Sequence, residues 1–259
     1  MIVQDLSEIY RYRDLLKNLV ARDLTVRYKR SIIGFLWTMV NPLVNTIVLT
    51  IVFAEVFRIP TKEFIIYYLS GSLLWNFFAQ STTLASSCLY GSSAIYKKIY
   101  VPKSIFVFSI ICSELLNFAF ALIPLMLLLV ILRHALPLSL LFLPVPILLI
   151  VLFTSGIALL LSACAIFFYD IIESYKLLLL PWMWLTPIIY PLDIVPPNYL
   201  PFIKLNPMYY FVECFRAPLY SGCLPDWEIL LCAIALGSLL FLLGYKIFIH
   251  LADDIIFYV

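Results

Sequence analysis

Six runs of this sequence, at residues 34–57, 64–89, 104–132, 139–168, 175–195 and 228–251, are almost free of charge and each about as long as a bilayer is thick. A helix needs roughly 20 apolar residues to cross a hydrocarbon core about 30 Å thick. In hydrocarbon every backbone amide must also be satisfied inside the protein, so only helices and closed barrels span. Barrel strands show about ten residues of alternating polarity, and these runs are continuous. With 64% hydrophobic and 12% charged residues, against about 45–50% and about 25% in a soluble domain, the chain is expected to be an all-α integral membrane protein with six transmembrane helices.

Orientation follows from Lys and Arg in the flanks rather than from the net charge of +2. Arg11, Arg13, Lys17, Arg22, Arg27, Lys29 and Arg30 precede the first run, and Lys97, Lys98 and Lys103 lie between the second and third. With Lys176 and Lys246, one side carries twelve basic residues against five on the other. Both termini are therefore expected in the cytoplasm. Residues 1–33 have no short apolar stretch ending in a small-residue site, so no cleavable signal peptide is expected. Cys88, Cys112, Cys164 and Cys232 sit in apolar runs as packing residues. Cys214 and Cys223 share an external connection, where an oxidising compartment permits a disulfide. His134 and His250 stand apart from any CxxC or carboxylate cluster, so no metal site is expected.

The division is then a cytoplasmic interfacial amphipathic segment, 1–33, followed by a six-helix membrane domain, 34–259. In the first, Leu15, Leu16, Leu19, Val20, Leu24 and Val26 recur at helical spacing opposite the cations. Such a helix lies in the membrane interface. Its Arg27, Lys29 and Arg30 either attract anionic lipid or meet the diphosphate of a lipid carrier, since clustered cations suit phosphates. In the connection 91–103, Ile95, Tyr96, Ile99 and Tyr100 alternate with Lys97 and Lys98 on a short amphipathic helix, which Pro102 separates from the next run. That helix is either a basic loop fixing topology or a docking face for another cytoplasmic protein.

Together these words resemble the type-two ABC exporter permeases, in particular the polysaccharide branch that exports O-antigen, teichoic acid or capsule. The matching series runs Arg22-Asp23-Leu24-Thr25-Val26-Arg27-Tyr28-Lys29, Gly34, Leu36-Trp37, Asn41-Pro42, Leu69-Ser70-Gly71, Trp75 and Lys97-Lys98-Ile99-Tyr100-Val101-Pro102-Lys103. It continues through Pro187-Ile188-Ile189-Tyr190-Pro191-Leu192, Val195-Pro196, Leu205-Asn206-Pro207-Met208 and Pro225-Asp226-Trp227. The resemblance implies a homodimer of six-span subunits in the bacterial cytoplasmic (inner) membrane, paired with two nucleotide-binding ATPase subunits that contact residues 95–100. The chain departs from the pattern at Phe168-Tyr169-Asp170-Ile171-Ile172-Glu173 and at His250 to Asp254, where basic residues are usual. The phosphate-binding role would then fall on Arg27, Lys29 and Arg30.

No GxxxxGK[ST] loop is present, so the chain is expected to be a transport subunit and not an enzyme: it holds no cofactor, and ATP and Mg would bind the partner ATPase. Pro181, Pro187 and Pro191 should break the fifth span. Residues 196–227 are too apolar for a solvated loop, and Asn206-Pro207 divides them into two short pieces. Re-entrant helices fit such a segment, because irregular backbone at membrane depth must be covered by protein or line a cavity. The resemblance makes them an external gate, with Phe202, Asn206, Pro207, Tyr209 and Tyr210 as its residues. Most aromatics are expected as interfacial anchors; Phe78, Trp182, Trp184 and Tyr190 are candidates to line a pathway, where ring faces hold sugars weakly. Glu114 is the acid deepest in a run, either coupled to protons or hydrogen-bonded to Ser or Asn on a neighbouring helix. The expected function is export of a lipid-linked polysaccharide, with no nucleic acid involved. A type-two permease for a drug or small lipid is the alternative, and an intramembrane lipid-modifying enzyme, lacking paired carboxylates with a His, is a more distant one.

Overall fold

All regular structure is helical in the computed structural model, which describes residues 2–29, 33–57, 60–92, 96, 100–133, 137–252 and 254–255. In chain order the helices are α1 (Ile2–Arg11), α2 (Arg13–Tyr28), α3 (Trp37–Phe57), α4 (Thr61–Gly91), α5 (Ser104–Arg133), α6 (Pro144–Phe167), α7 (Asp170–Leu185), α8 (Leu200–Leu205), α9 (Pro207–Arg216) and α10 (Trp227–Ala252). Among the described residues, four stretches are long and apolar enough to cross a bilayer: Gly34–Phe53, Ser104–Leu132, Leu138–Phe167 and Trp227–Ala252. They match the first, third, fourth and sixth apolar runs.

The second run folds into a different kind of helix. α4 is unbroken over 31 residues, but it carries buried Ser70, Ser72, Ser81, Thr82 and Ser86. Most of these hydroxyls bond back to their own helix: Ser70 donates to the Tyr67 carbonyl at 3.0 Å, Thr82 to that of Phe78 at 2.7 Å and Ser86 to that of Thr83 at 2.7 Å. Such a helix is best placed inside protein, and α3, α5, α6, α7 and α9 all pack against it. The helices around it show the complementary pattern. α3 leaves Val44, Ile47, Val48, Ile51 and Val52 exposed, and α10 leaves Leu239, Leu242, Leu243 and Ile247 exposed.

The fifth run is broken, as its prolines suggested, but its helix has other bounds than expected. α7 begins at Asp170 and ends at Leu185, so the single segment expected over 175–195 is a 16-residue helix followed by irregular backbone. Pro181 is accommodated inside the helix. The break falls at Thr186, which is extended (φ −94°, ψ 131°), because the ring of Pro187 disfavours helical backbone in the residue before it. The two apolar pieces beyond do fold as short helices, α8 and α9, parted at Asn206 as the sequence suggested.

The amino-terminal segment is two helices rather than one, bent at Tyr12 (φ −91°, ψ 19°). α1 is tied to the bundle through Asp5, whose carboxylate accepts from the Ser104 hydroxyl at 2.6 Å and the Tyr245 hydroxyl at 2.5 Å. α2 packs along α5, with Leu19 buried and Leu15 and Leu16 against the core. Its apolar edge is thus covered by protein at Leu15, Leu16 and Leu19, while Val26 at its end stays exposed. Gly34, at φ +57°, then turns the chain into α3 with a backbone conformation that a Cβ would strain. Cys214 is buried, Cys223 is exposed, and both are free thiols, so the disulfide considered from sequence is not formed.

α6 and α10 share the most extensive helix contact in the bundle. Gly156 makes it possible: a Cβ there would overlap the backbone of Leu240, and one at Gly244 would overlap the backbone of Gly156. Small residues let helix backbones approach and gain dispersion contacts that lipid cannot replace. Gly156→Leu is therefore expected to destabilise the purified protein by about 3 kcal/mol, read as an earlier thermal unfolding transition in detergent, whereas Gly91→Ala, with open space around it, leaves the transition in place.

Candidate functional site

α2 ends against α5 and there presents Arg27 and Tyr28 to two polar groups of that helix. The Arg27 guanidinium donates to Glu114 Oε1 at 2.5 Å. Glu114 is only 5% exposed, and it lies ten residues into α5, about 15 Å along the helix axis. Asn117, one turn further on, donates to Glu114 Oε2 at 3.4 Å and accepts from the Tyr28 hydroxyl at 2.9 Å. Burial opposes charge on Arg27, but the hydrogen bond and charge of Glu114 prevail and hold its pKa above the ordinary value. Burial raises the Tyr28 hydroxyl as well, against the pull of Arg27. A buried carboxylate left alone would be costly, and the pair with its flanking hydrogen bonds removes that cost.

This network borders a cavity of about 510 Å³ between α2, α3, α4 and α5. α3 contributes Asn41 and Asn45, and α4 contributes Asn76 and Gln80. Trp37, Phe77 and Phe118 supply ring surface. A carboxamide both donates and accepts, so this lining suits a neutral ligand rich in hydroxyls or amides. The sequence pointed to Arg27 and Glu114, and to Asn41 only as part of the word Asn41-Pro42, but not to Asn45, Asn76 or Gln80. The signal available was their spacing, four residues apart in each helix, which puts each pair on one helical face.

A second polar centre sits against the first half of α4. Arg216, at the end of α9, is 2% exposed. It pairs with Glu213 at 2.6 Å, donates to the Pro187 carbonyl at 3.0 Å and stands 3.7 Å over the Tyr67 ring. The Tyr67 hydroxyl in turn donates to the carbonyls of Tyr190 at 2.9 Å and Pro187 at 3.2 Å. These bonds satisfy the carbonyls that the proline-rich stretch after α7 leaves open. A Cβ at position 71 would lie 2.7 Å from the guanidinium, so Gly71 is what admits it. A cavity of about 340 Å³ opens beside Arg216, between Asp193 and Asp226. Asn206 joins the same region to α7: its side chain caps α9 at Met208 N, accepts from Trp182 Nε1 at 2.8 Å and donates to the Thr186 hydroxyl at 2.8 Å.

The residues named from sequence fall at several places. Arg27 reaches the inner cavity, Lys29 is exposed away from it, and Arg30 lies outside the described residues. Of the connection 95–100, Tyr96 is buried with its hydroxyl on the Leu89 carbonyl at 3.1 Å, and Tyr100 is exposed with its carbonyl accepting from Tyr12. Ile95, Lys97, Lys98 and Ile99 lie outside the described residues. Phe78 is fully enclosed by Trp75, Phe153 and Trp182, so it presents no free face in this conformation. Trp184 is half exposed, and the Tyr190 hydroxyl donates to its carbonyl at 3.1 Å. Phe202 is exposed on α8, Pro207 is the first residue of α9, Tyr209 is buried, and the Tyr210 hydroxyl donates to the Lys204 carbonyl at 2.8 Å. Glu114 is bonded to Arg27 and Asn117, not to a neighbouring Ser.

Residues 14–220 match the ABC-2 type transporter family. The chain is 30% identical to the O-antigen export system permease protein RfbA of Myxococcus xanthus over 95% of this chain and 96% of that one. It is 29% identical to a protein of the same description from Klebsiella pneumoniae over 91% of each. Similarity to the capsule polysaccharide export inner-membrane protein CtrC of Neisseria meningitidis is 24% over 84% of this chain and 85% of the relative.

Three substitutions test the bonding described. Arg27→Ala is expected to lower thermal stability in detergent more than Arg27→Ala with Glu114→Gln, with a coupling on the order of 1–3 kcal/mol in the double-mutant cycle. Asn206→Ala, which removes the α9 cap and the bonds to α7, is expected to cost about 2 kcal/mol, seen in the same melting assay.

Proposed function

This chain belongs to the ABC-2 type transporter family, and we propose that it is the permease subunit of an ATP-driven exporter that moves a lipid-linked polysaccharide of O-antigen, teichoic acid or capsule type across the bacterial cytoplasmic membrane. The observation that carries this reading is similarity over nearly the whole chain to permeases named for O-antigen export. A cavity lined by carboxamides, rather than by a set of unpaired charges, is consistent with a neutral, hydroxyl-rich cargo. The sequence has no phosphate-binding loop, so hydrolysis is assigned to separate ATPase subunits that hold ATP and Mg.

In this reading two copies of the chain form the membrane unit with two ATPases. α4 and α7 cross the membrane along with the four more apolar helices, giving six spans with both termini in the cytoplasm. Residues 95–100 receive the ATPase, and their basic pair Lys97-Lys98 suits an acidic groove on it. Arg27, Lys29 and Arg30 face the carrier diphosphate at the inner surface. α8 and α9 form the outer, re-entrant gate, held to the proline-rich stretch by Arg216 and to α7 by Asn206. Exposure of Phe78 and Trp182 to the glycan then requires α7 to shift from α4, since their rings pack together in the closed arrangement.

The test is co-purification. Expressed with a separately encoded candidate ATPase, the permease should bring that protein down in detergent, and candidate lipid-linked glycans should stimulate ATP hydrolysis after reconstitution. If no ATPase associates, the reading fails. Lys97→Glu with Lys98→Glu is expected to reduce surface polysaccharide at least tenfold at a normal level of inserted permease, measured by immunoblot of cell envelopes; export at the unaltered rate rules out the coupling role.

A further inference from the structure

Four carboxamides in the inner cavity have no hydrogen-bond partner among the described residues: Asn41 and Asn45 on α3, Asn76 and Gln80 on α4. All four are exposed on the surface of the single chain. Their neighbours on α3, Val44, Ile47 and Val48, are exposed too, but these are the side chains lipid accepts. An amide facing hydrocarbon would lose hydration with no replacement, so this face needs a polar occupant.

We propose that these four side chains form a hydrogen-bonding track for neutral, hydroxyl-bearing sugar units of the transported glycan. The inference rests on the polysaccharide-export reading and names the surface that the polymer touches. Each pair is spaced four residues apart, so its amides stand on one helical face about 6 Å apart along the axis. An amide and a sugar hydroxyl each donate and accept, so any sugar orientation finds a partner. Neutral bonds of this kind exchange easily with water, which lets a long chain advance without being trapped. The two charges at the cavity, Arg27 and Glu114, neutralise each other at 2.5 Å. The track is therefore electrically neutral, and an acidic polymer gains nothing from it. Trp37, 43% exposed at the cavity edge, offers a ring face for the apolar side of a sugar.

The same polar face could instead be covered by amide-to-amide bonds with a second copy of the chain, and crosslinking separates the two. In cells producing the full transporter, benzoylphenylalanine is placed at position 45 or 76, with position 131, an exposed apolar site on α5, as the reference. Irradiation should attach polysaccharide to the permease at 45 and 76, at least tenfold above 131. Capture of a second permease without polysaccharide, labelling equal to that at 131, or no labelling at all overturns the track. As a second measurement, Asn41→Leu, Asn45→Leu, Asn76→Leu and Gln80→Leu are combined. Leucine is close in volume and inserts more readily into membranes, so the variant should insert, co-purify with the ATPase and export at least tenfold less polysaccharide. Export at the unaltered rate overturns the track and leaves the exporter reading standing. Surface polysaccharide unchanged by deletion of the gene overturns the exporter reading itself.

Discussion

A hydrocarbon layer cannot solvate a polar group, and the arrangement of this bundle follows from that constraint. It sorts the helices by composition. α3 and α10 present long exposed apolar faces that lipid can cover, whereas α6, though equally apolar, is more than half buried. α4, which carries five buried hydroxyls, is enclosed by five other helices and by its own back-bonded carbonyls. Two polar centres stand out among the groups that remain, one beside the middle of α4 and one beside its first half, and each has internal partners or a cavity.

Each of those places is organised by one arginine. Arg27 approaches from the amino-terminal helix pair and neutralises Glu114 inside α5. Arg216 approaches from α9 and satisfies carbonyls that Pro187 and its neighbours leave outside any helix. The first centre is half open to a cavity and is bordered by amides; the second holds its guanidinium under a tyrosine ring, with a carboxylate one turn away and a smaller cavity beside it. Arginine suits both positions because its planar fork serves several acceptors at once while its charge remains fixed.

Much of this was legible in the sequence. Run length predicted helices, and four runs are long and apolar enough to cross. The division at Asn206-Pro207 was readable because an Asn cap followed by Pro is a local signal. The end of α7 was misplaced because Pro181 and Pro187 look alike in sequence, yet only the second has an extended residue before it. The charge of Arg27 marked it as a candidate site residue, but its partner was not readable, since Glu114 is 87 residues away. The carboxamides were overlooked because polar residues in an apolar run resemble ordinary helix-to-helix contacts until the surrounding helices are in place. Arg216 was counted only as an external charge, and nothing local marks it as the most deeply buried cation among the described residues.

The contact of Gly156 with the turn of α10 around Gly244 has a mechanical meaning beyond its packing. Two helices whose backbones touch cannot slide past one another by a fraction of a turn without collision, nor separate without opening a void. α6 and α10 therefore behave as one post, fixed over their shared length. α3 and α7 have looser boundaries, and α7 is linked to α9 through a single asparagine. Any displacement that opens a space between these helices is a swing of the outer members about that post, and its stiffness determines how far a movement at one end of the bundle is carried to the other.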